Sequence, residues 1–420
     1  MLGHNRSLPN PFPDFVPGEG QTAADDKQIE SLIRLYVQTI LEENDSEVDE
    51  RGDLYVGDAG ISFMFWKLHT SEQTHSMFPK ALDYALALMG NAKQKCRPHL
   101  KRSAERFSFI CGNAGIYAIS AAISAALGNT IALTKDLDIF KTGIPSSMEK
   151  MHTKTGCDDF MQGRAGYLAG CYWLNEVLGR KEIPDETVIA ICQMIVKSGR
   201  EYSKIRKSQS PLMYQHYGTQ YLGASHGICG ILHMLLDSPW FRTTPISATE
   251  DVIRDIKTSI DLFVKLQDSL GNFPVSMEDL CTGRDPDRRL LHWCHGAPGA
   301  VYLLAKAYLI FKDETYLTAI RQAADLVWVR GVLRKGPGIC HGVASGGYVF
   351  LLLFRLTNEM LYHYRALKFM EVLTDADYQE QARMPDRPHS LFEGVAGTVC
   401  FLVDLLNPEQ ASFPFMDVFH

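Results

Sequence analysis

Ile29, Leu32, Ile33, Tyr36, Val37, Ile40 and Leu41 recur at three- and four-residue steps, the spacing of one face of an α-helix. Asp25 and Asp26 precede its first turn, where negative charge suits the helix dipole. The next stretch is patterned differently. Gly57-Asp58-Ala59-Gly60 leads into Ile-Ser-Phe-Met-Phe-Trp, apolar on nearly every side, which predicts a helix buried on all its faces. Met77 to Met89 is amphipathic again, and Gly112-Asn113-Ala114-Gly115 opens a second wholly apolar run.

This alternation has a period. Gly-x-x-Gly openings start at Gly57, Gly112, Gly163, Gly227, Gly296, Gly342 and Gly394, with gaps of 55, 51, 64, 69, 46 and 52 residues. Six keep the second glycine, at Gly60, Gly115, Gly166, Gly230, Gly299 and Gly397; the sixth opening has Ser345 there. Amphipathic stretches lie between them, including Glu186 to Tyr202, Thr249 to Gln267 and Glu314 to Val329. Asp377 to Pro388 reads as a polar connector. The pattern predicts seven helical hairpins, each pairing one amphipathic with one apolar helix. Apolar helices need cover on both sides, so they form an inner ring inside the amphipathic ones. The expected fold is all-α: a double-layered α/α toroid. Residues 29–420 form one domain in this reading, behind an extended arm of residues 1–28 whose Pro9-Asn10-Pro11-Phe12-Pro13 lies over the body.

The totals agree with a globular chain: 420 residues, 46% hydrophobic and 22% charged. A net charge of −7 without a basic stripe argues against a nucleic-acid partner. The most basic segment, Lys93 to Arg102, reads as a solvated loop. Ten scattered cysteines, several inside apolar runs (Cys171, Cys192, Cys400), are reduced, intracellular usage. No signal-peptide core, myristoylation pattern or membrane span is written in the sequence, so a cytoplasmic protein is expected. Any peripheral association with the plasma membrane would then run through partners.

The openings carry the chemistry. Cys-His-Gly occurs twice, at Cys294-His295-Gly296 and Cys340-His341-Gly342, each before an apolar helical run. Thiolate sulfur and imidazole nitrogen are ligands that zinc prefers, and two Cys with one His leave a tetrahedral position open. The fourth opening places His226 beside these pairs, and Asp158-Asp159 precede the third, which also carries Arg164. An acid, an imidazole and an open metal site suit a reaction needing a Lewis acid and proton transfer. His226 would move the proton, with Asp159 holding its imidazole. Cys229, at an apolar helix start, and Cys281, in a long loop, read as structural.

His-Trp-Cys-His-Gly-Ala-Pro-Gly at 292–299, Gly-Ile-Cys-His-Gly at 338–342 and Leu-Gly-Ala-Ser-His-Gly at 222–227 resemble the lanthionine synthetase C-like family. Phe392-Glu393-Gly394-Val395-Ala396-Gly397 and Pro9-Asn10-Pro11-Phe12 resemble its eukaryotic branch. The likeness covers essentially the whole chain. It implies an α/α toroid with one zinc ion held by Cys294, Cys340 and His341, with His295 a neighbour. It also implies His226 as the acid/base and Asp159 as its aspartate, although the doubled acid leaves Asp158 open. Bacterial members add cysteine thiols to dehydroalanine or dehydrobutyrine; eukaryotic members bind glutathione and are associated with its addition to such residues in peptides or proteins. Glutathione contacts would fall on Lys335, Arg6 and Arg383. Ser345 departs from the pattern, and Gly346-Gly347 follow it, which would reshape that loop.

Three functions are therefore in play: zinc-dependent thiol addition forming a thioether, a zinc- and glutathione-binding adaptor without turnover, and glycoside hydrolysis. The last needs two carboxylates across a cleft and leaves the Cys and His set unexplained.

Overall fold

The computed structural model describes residues 6–18, 26–43, 51–96, 107–149, 156–281 and 290–419. Asp25 and part of the basic segment, Arg97 to Arg102, lie outside them, as does the side chain of Cys281. Within the described residues, apolar and amphipathic helices alternate as the pattern predicts. The apolar helices are Asp58–Thr70, Asn113–Ala126, Arg164–Val177, Ile228–Leu236, Ala297–Phe311, Val343–Thr357 and Val395–Leu405. Asp26–Glu43 precedes the first, and between them run Ala81–Lys95, Thr130–Lys141, Asp185–Arg206, Glu250–Val264, Glu314–Arg330 and Met360–Val372. Isolated bridges are the only β-pairing among the described residues.

Each apolar helix is capped by the first glycine of its opening. Glycine has no side chain to accept from the helix, so the main chain satisfies the first N–H groups instead. Arg164 N donates to Cys157 O at 2.8 Å, Val395 N to Pro388 O at 2.8 Å and Val343 N to Gly336 O at 3.1 Å. The fifth opening differs: Ala297 N donates to the side-chain oxygen of Asn272 at 2.9 Å. The second glycines answer to space. A Cβ on Gly299 would lie 2.0 Å from Trp293 O, and one on Gly397 2.0 Å from Leu391 O. The loop thus folds back onto its own helix at a distance no other residue allows.

Two details differ from the sequence pattern. The helix expected over Met77 to Met89 begins at Ala81, because Pro79 disfavours helical backbone at the residue before it. The connector expected from Asp377 to Pro388 contains part of a short helix, Ala376–Gln381, capped by the Asp375 side chain on Tyr378 N.

The chain divides into two compact units, residues 1–96 with 324–414, and 97–323 with 415–420. In the first, the arm is fastened: Leu8 N donates to Val332 O at 2.8 Å, and Asn10 Nδ2 to Trp328 O at 2.8 Å. Asp14 pairs with Arg365 at 2.6 Å. Its core includes Tyr348 packed on Phe401 and Phe413, with the Tyr348 hydroxyl donating to Asp404, which also pairs with Lys67. In the second, Tyr167 stacks on Phe140 with centroids 4.9 Å apart, and Phe160 packs edge-on against Trp293. The C-terminal Val418 carbonyl accepts from the buried Lys306, which also pairs with Asp237 at 2.5 Å. Among the described residues no helix is long and apolar enough to cross a membrane.

Candidate active site

In the second unit a buried carboxylate meets two imidazoles. Asp159 sits in the turn before the Arg164–Val177 helix, where its Oδ1 accepts from Met161 N and Gln162 N, both at 2.9 Å. The same oxygen lies 3.2 Å from Nδ1 of His226, and Oδ2 lies 3.4 Å from Nδ1 of His216, a close charge contact without hydrogen-bond geometry. Burial pushes the Asp159 carboxyl up, but hydrogen bonds and charge from the two histidines outweigh it and hold it well below the usual carboxylate range. An ionised carboxylate only accepts, so Nδ1 of His226 carries the hydrogen and its Nε2 is left to give or take a proton. His226 is 25% exposed, enough for a substrate to reach it.

Asp159, His216 and His226 bring three metal-ligand atoms within 4.8 Å. The imidazole planes, however, are 19° apart with centroids 4.0 Å apart. Nearly parallel rings direct their in-plane lone pairs side by side rather than at one point, so this is a carboxylate–imidazole cluster, not a metal cage.

Asp158 points elsewhere. It pairs with Arg164 Nη1 at 2.6 Å and accepts from Ser198 Oγ at 2.6 Å. Burial pushes its carboxyl up, and the guanidinium opposes that. Arg164 donates further to Ser147 O, Glu149 O and Cys157 Sγ. Of the two acids, only Asp159 faces His226.

The His226 loop is tied to the loop of Cys294 in the same unit. Ser225 N and Oγ both approach Cys294 O, at 3.4 and 3.1 Å, and a Cβ on Gly223 would lie 2.2 Å from that oxygen. Asn272 clamps the other side, donating to Leu290 O at 3.0 Å and capping Ala297. Gly296 between them has φ +120°, a backbone only glycine adopts without strain. The Tyr221 ring lies 5.4 Å from His295 and 6.0 Å from His226. Cys229 is buried, its Sγ directed at Gly299 O.

The first unit holds the other ligand-type pair. Cys340 is buried, its N–H donates to Phe392 O at 2.8 Å, and the Tyr55 hydroxyl donates to its Sγ at 3.4 Å. Tyr55 is itself fixed by stacking on Phe392. His341 is buried, with Nε2 4.0 Å from Glu393 Oε1, beyond hydrogen-bond range. At Ser345 the helix starts after Gly342 as at the other openings, and Ser345 Oγ is buried with no hydrogen-bond partner among the described residues. Arg334 N donates to Arg6 O at 3.0 Å, and Arg383 N to Arg334 O at 2.6 Å, so the main chains of Arg6, Arg334–Lys335 and Arg383 run side by side. Arg6, Lys335 and Arg383 are all exposed.

His216, Tyr221 and Tyr55 were not legible in the sequence pattern. The available signal was a histidine and a tyrosine flanking Tyr217-Gly218, a turn that begins five residues before the Leu-Gly-Ala-Ser-His-Gly run.

Comparison with known proteins gives the family and the fold. The family model described as lanthionine synthetase C-like protein matches residues 48–418. A relative from Danio rerio, named glutathione S-transferase LANCL1, is 32% identical over 431 residues, covering 99% of this chain and all of its own length. The solved structure of nisin cyclase matches with a TM-score of 0.64 at 17% identity, covering 93% of this chain and 95% of that one. The fold is therefore that of nisin cyclase, an all-α α/α toroid. With the family model spanning nearly the whole chain and the glycine-capped openings in place, the chain belongs to the lanthionine synthetase C-like family.

Proposed function

We propose that this chain adds a thiol, glutathione being the best candidate, to dehydroalanine or dehydrobutyrine residues of peptides or proteins, forming a thioether. The observation that carries the reading is the pairing of His226 with a buried, ionised Asp159 on a loop bonded to the main chain of Cys294. The general activity of the family, and the names of the relatives, support it.

Cys294, Cys340 and His341 would hold one zinc ion. They offer two sulfurs and an imidazole, a donor set zinc favours. Tyr55 on the Cys340 sulfur is the kind of outer support that orients metal ligands. When bound, zinc lowers the pKa of a coordinated thiol so that it is a thiolate at neutral pH. Lys335, Arg6 and Arg383 would meet the glutathione carboxylates.

In the addition, sulfur bonds to the β-carbon of the dehydroamino acid and the π-electron pair moves toward the α-carbon and its carbonyl. His226 delivers a proton from Nε2 to the α-carbon, while Asp159 holds Nδ1 and stabilises the ring in both charge states. The thiol proton is released and one proton enters the product; nothing is oxidised, and no group leaves.

Metal analysis and a mass-spectrometric assay of glutathione with a dehydroalanine peptide test this. One zinc per chain and an adduct are expected, both lost in Cys340→Ala, whereas His226→Ala keeps zinc and loses about 10²–10⁴-fold in rate. An adduct formed at full rate by Cys340→Ala would overturn it. Glutathione binding without any adduct would favour the adaptor, but the arm that could have docked a partner is fastened along its own unit.

A further inference from the structure

We infer that His216 is a positioning residue for His226, holding it through the carboxylate they share. The inference rests on the reading of His226 as the proton donor.

Asp159 spends one oxygen on Met161 N, Gln162 N and His226, and turns the other to His216. The carboxylate is 3% exposed, so no water bath replaces His216 if it is removed. The two rings stack face to face at 4.0 Å. His216 thus fixes His226 twice, by filling the second oxygen of its partner and by covering one ring face. Together these set the direction in which His226 Nε2 points.

The protein builds this placement deliberately into a small hairpin. His216 N donates to Thr219 O at 2.9 Å and Thr219 N to His216 O at 3.1 Å, around a turn with φ 47° at Tyr217 and 89° at Gly218. Positive φ at both central residues marks a type I′ turn, and at Tyr217 it is carried by a residue other than glycine. Both arms are anchored. Tyr214 OH donates to Ile195 O on the Asp185–Arg206 helix, and Leu222 N to Val275 O at 2.9 Å, with Met277 N returning to Gln220 O. Gly156, at φ +73°, lets the Asp159 loop approach so closely that a Cβ there would lie 1.9 Å from Gln215 O. A histidine needed only for packing would not require a strained turn and a glycine notch aimed at one carboxylate.

Two variants of the full-length, zinc-loaded protein separate positioning from packing. His216→Phe keeps a stacked ring but offers Asp159 no N–H. His216→Asn returns an N–H near the position of Nδ1 without the ring. Turnover is followed with glutathione and a dehydroalanine peptide, and the His226 tautomer by ¹⁵N resonances of histidine-labelled protein. For His216→Phe, kcat should fall about tenfold as the close polar contact to the buried Asp159 carboxylate is lost, with KM within about twofold. Part of the His226 population should shift to the Nε2–H tautomer, and His216→Asn should recover most of both effects. Wild-type kcat with an unchanged ring spectrum in His216→Phe would overturn the inference. So would equal impairment of both variants with a lowered melting temperature, which is the mark of packing alone. If the wild type adds no thiol to any acceptor, the function fails, yet the ring spectra still decide whether His216 holds His226.

Discussion

Asp158→Asn and Asp159→Asn alter neighbouring residues by the same atom, and they should fail in different ways. Asp158 faces Arg164, a guanidinium only 2% exposed. Removing its counter-charge leaves a buried, unpaired cation, which costs about 3–5 kcal/mol. Arg164 keeps Ser147 O, Glu149 O and Cys157 Sγ as acceptors, so the lower figure applies. At about 2.1 cal/mol/K of unfolding entropy per residue, a chain of 420 residues loses roughly 3–4 °C of melting temperature for about 3 kcal/mol. Asp159→Asn keeps an acceptor for Met161 and Gln162 but weakens it from charged to neutral, about 2 kcal/mol in all. Its larger effect falls on turnover. A neutral oxygen holds the His226 hydrogen on Nδ1 more weakly and gives the imidazolium no counter-charge, so kcat should drop about 10²–10⁴-fold.

Calorimetry and the glutathione-adduct assay, run on both variants, check this. Their pH dependence adds a control. Asp159 is held below its unfolded value, so its stabilisation is complete above about pH 4 and is lost as pH falls through the folded pKa. The stability gap between wild type and Asp159→Asn should be flat through neutral pH and close only in strong acid. A well-folded Asp158→Asn without turnover, beside an active Asp159→Asn, would refute the assignment.

Three further outcomes follow from other parts of the molecule. Tyr55→Phe removes the hydroxyl on Cys340 Sγ and should weaken zinc binding about tenfold in a chelator competition, with the fold intact. Gly299→Ala places a Cβ 2.0 Å from Trp293 O and should destabilise by about 2–3 kcal/mol in denaturant titration; a wild-type midpoint would contradict the close-approach account. His233 is fully buried, and burial pulls its imidazole down to about 4. Its unfolded form protonates first, so stability should be complete above about pH 6.5 and fall by about 3 kcal/mol toward pH 4. His233→Gln should flatten that slope, measured by urea titration at several pH values.

The seven openings were legible because two physical demands, a capping main chain and a carbonyl packed against the helix start, both select glycine at a fixed spacing. His226 and the Cys-His pairs were legible because they sit inside those openings. His216 was not, since it belongs to a hairpin held by hydrogen bonds and a left-handed Tyr217, neither of which leaves a periodic trace. Nor could the sequence tell Asp158 from Asp159: adjacent side chains in a turn point apart, and Arg164 and Ser198 capture one of them. Tyr55 reaches Cys340 across 285 positions, a separation no local pattern records.

The main-chain capping of the apolar helices has a consequence for how such a chain can change. In most proteins a helix start spends a serine, threonine or aspartate on its first N–H groups, and that residue is then committed to the fold. Here the loop carbonyls take most of that duty, with Asn272 serving the fifth helix. Side chains in the openings can therefore be exchanged one at a time while the scaffold stands. An ancestor with seven similar loops could place a cysteine in one, a histidine in another and nothing reactive in a third, and a descendant could alter its chemistry without first having to survive a collapse of its architecture.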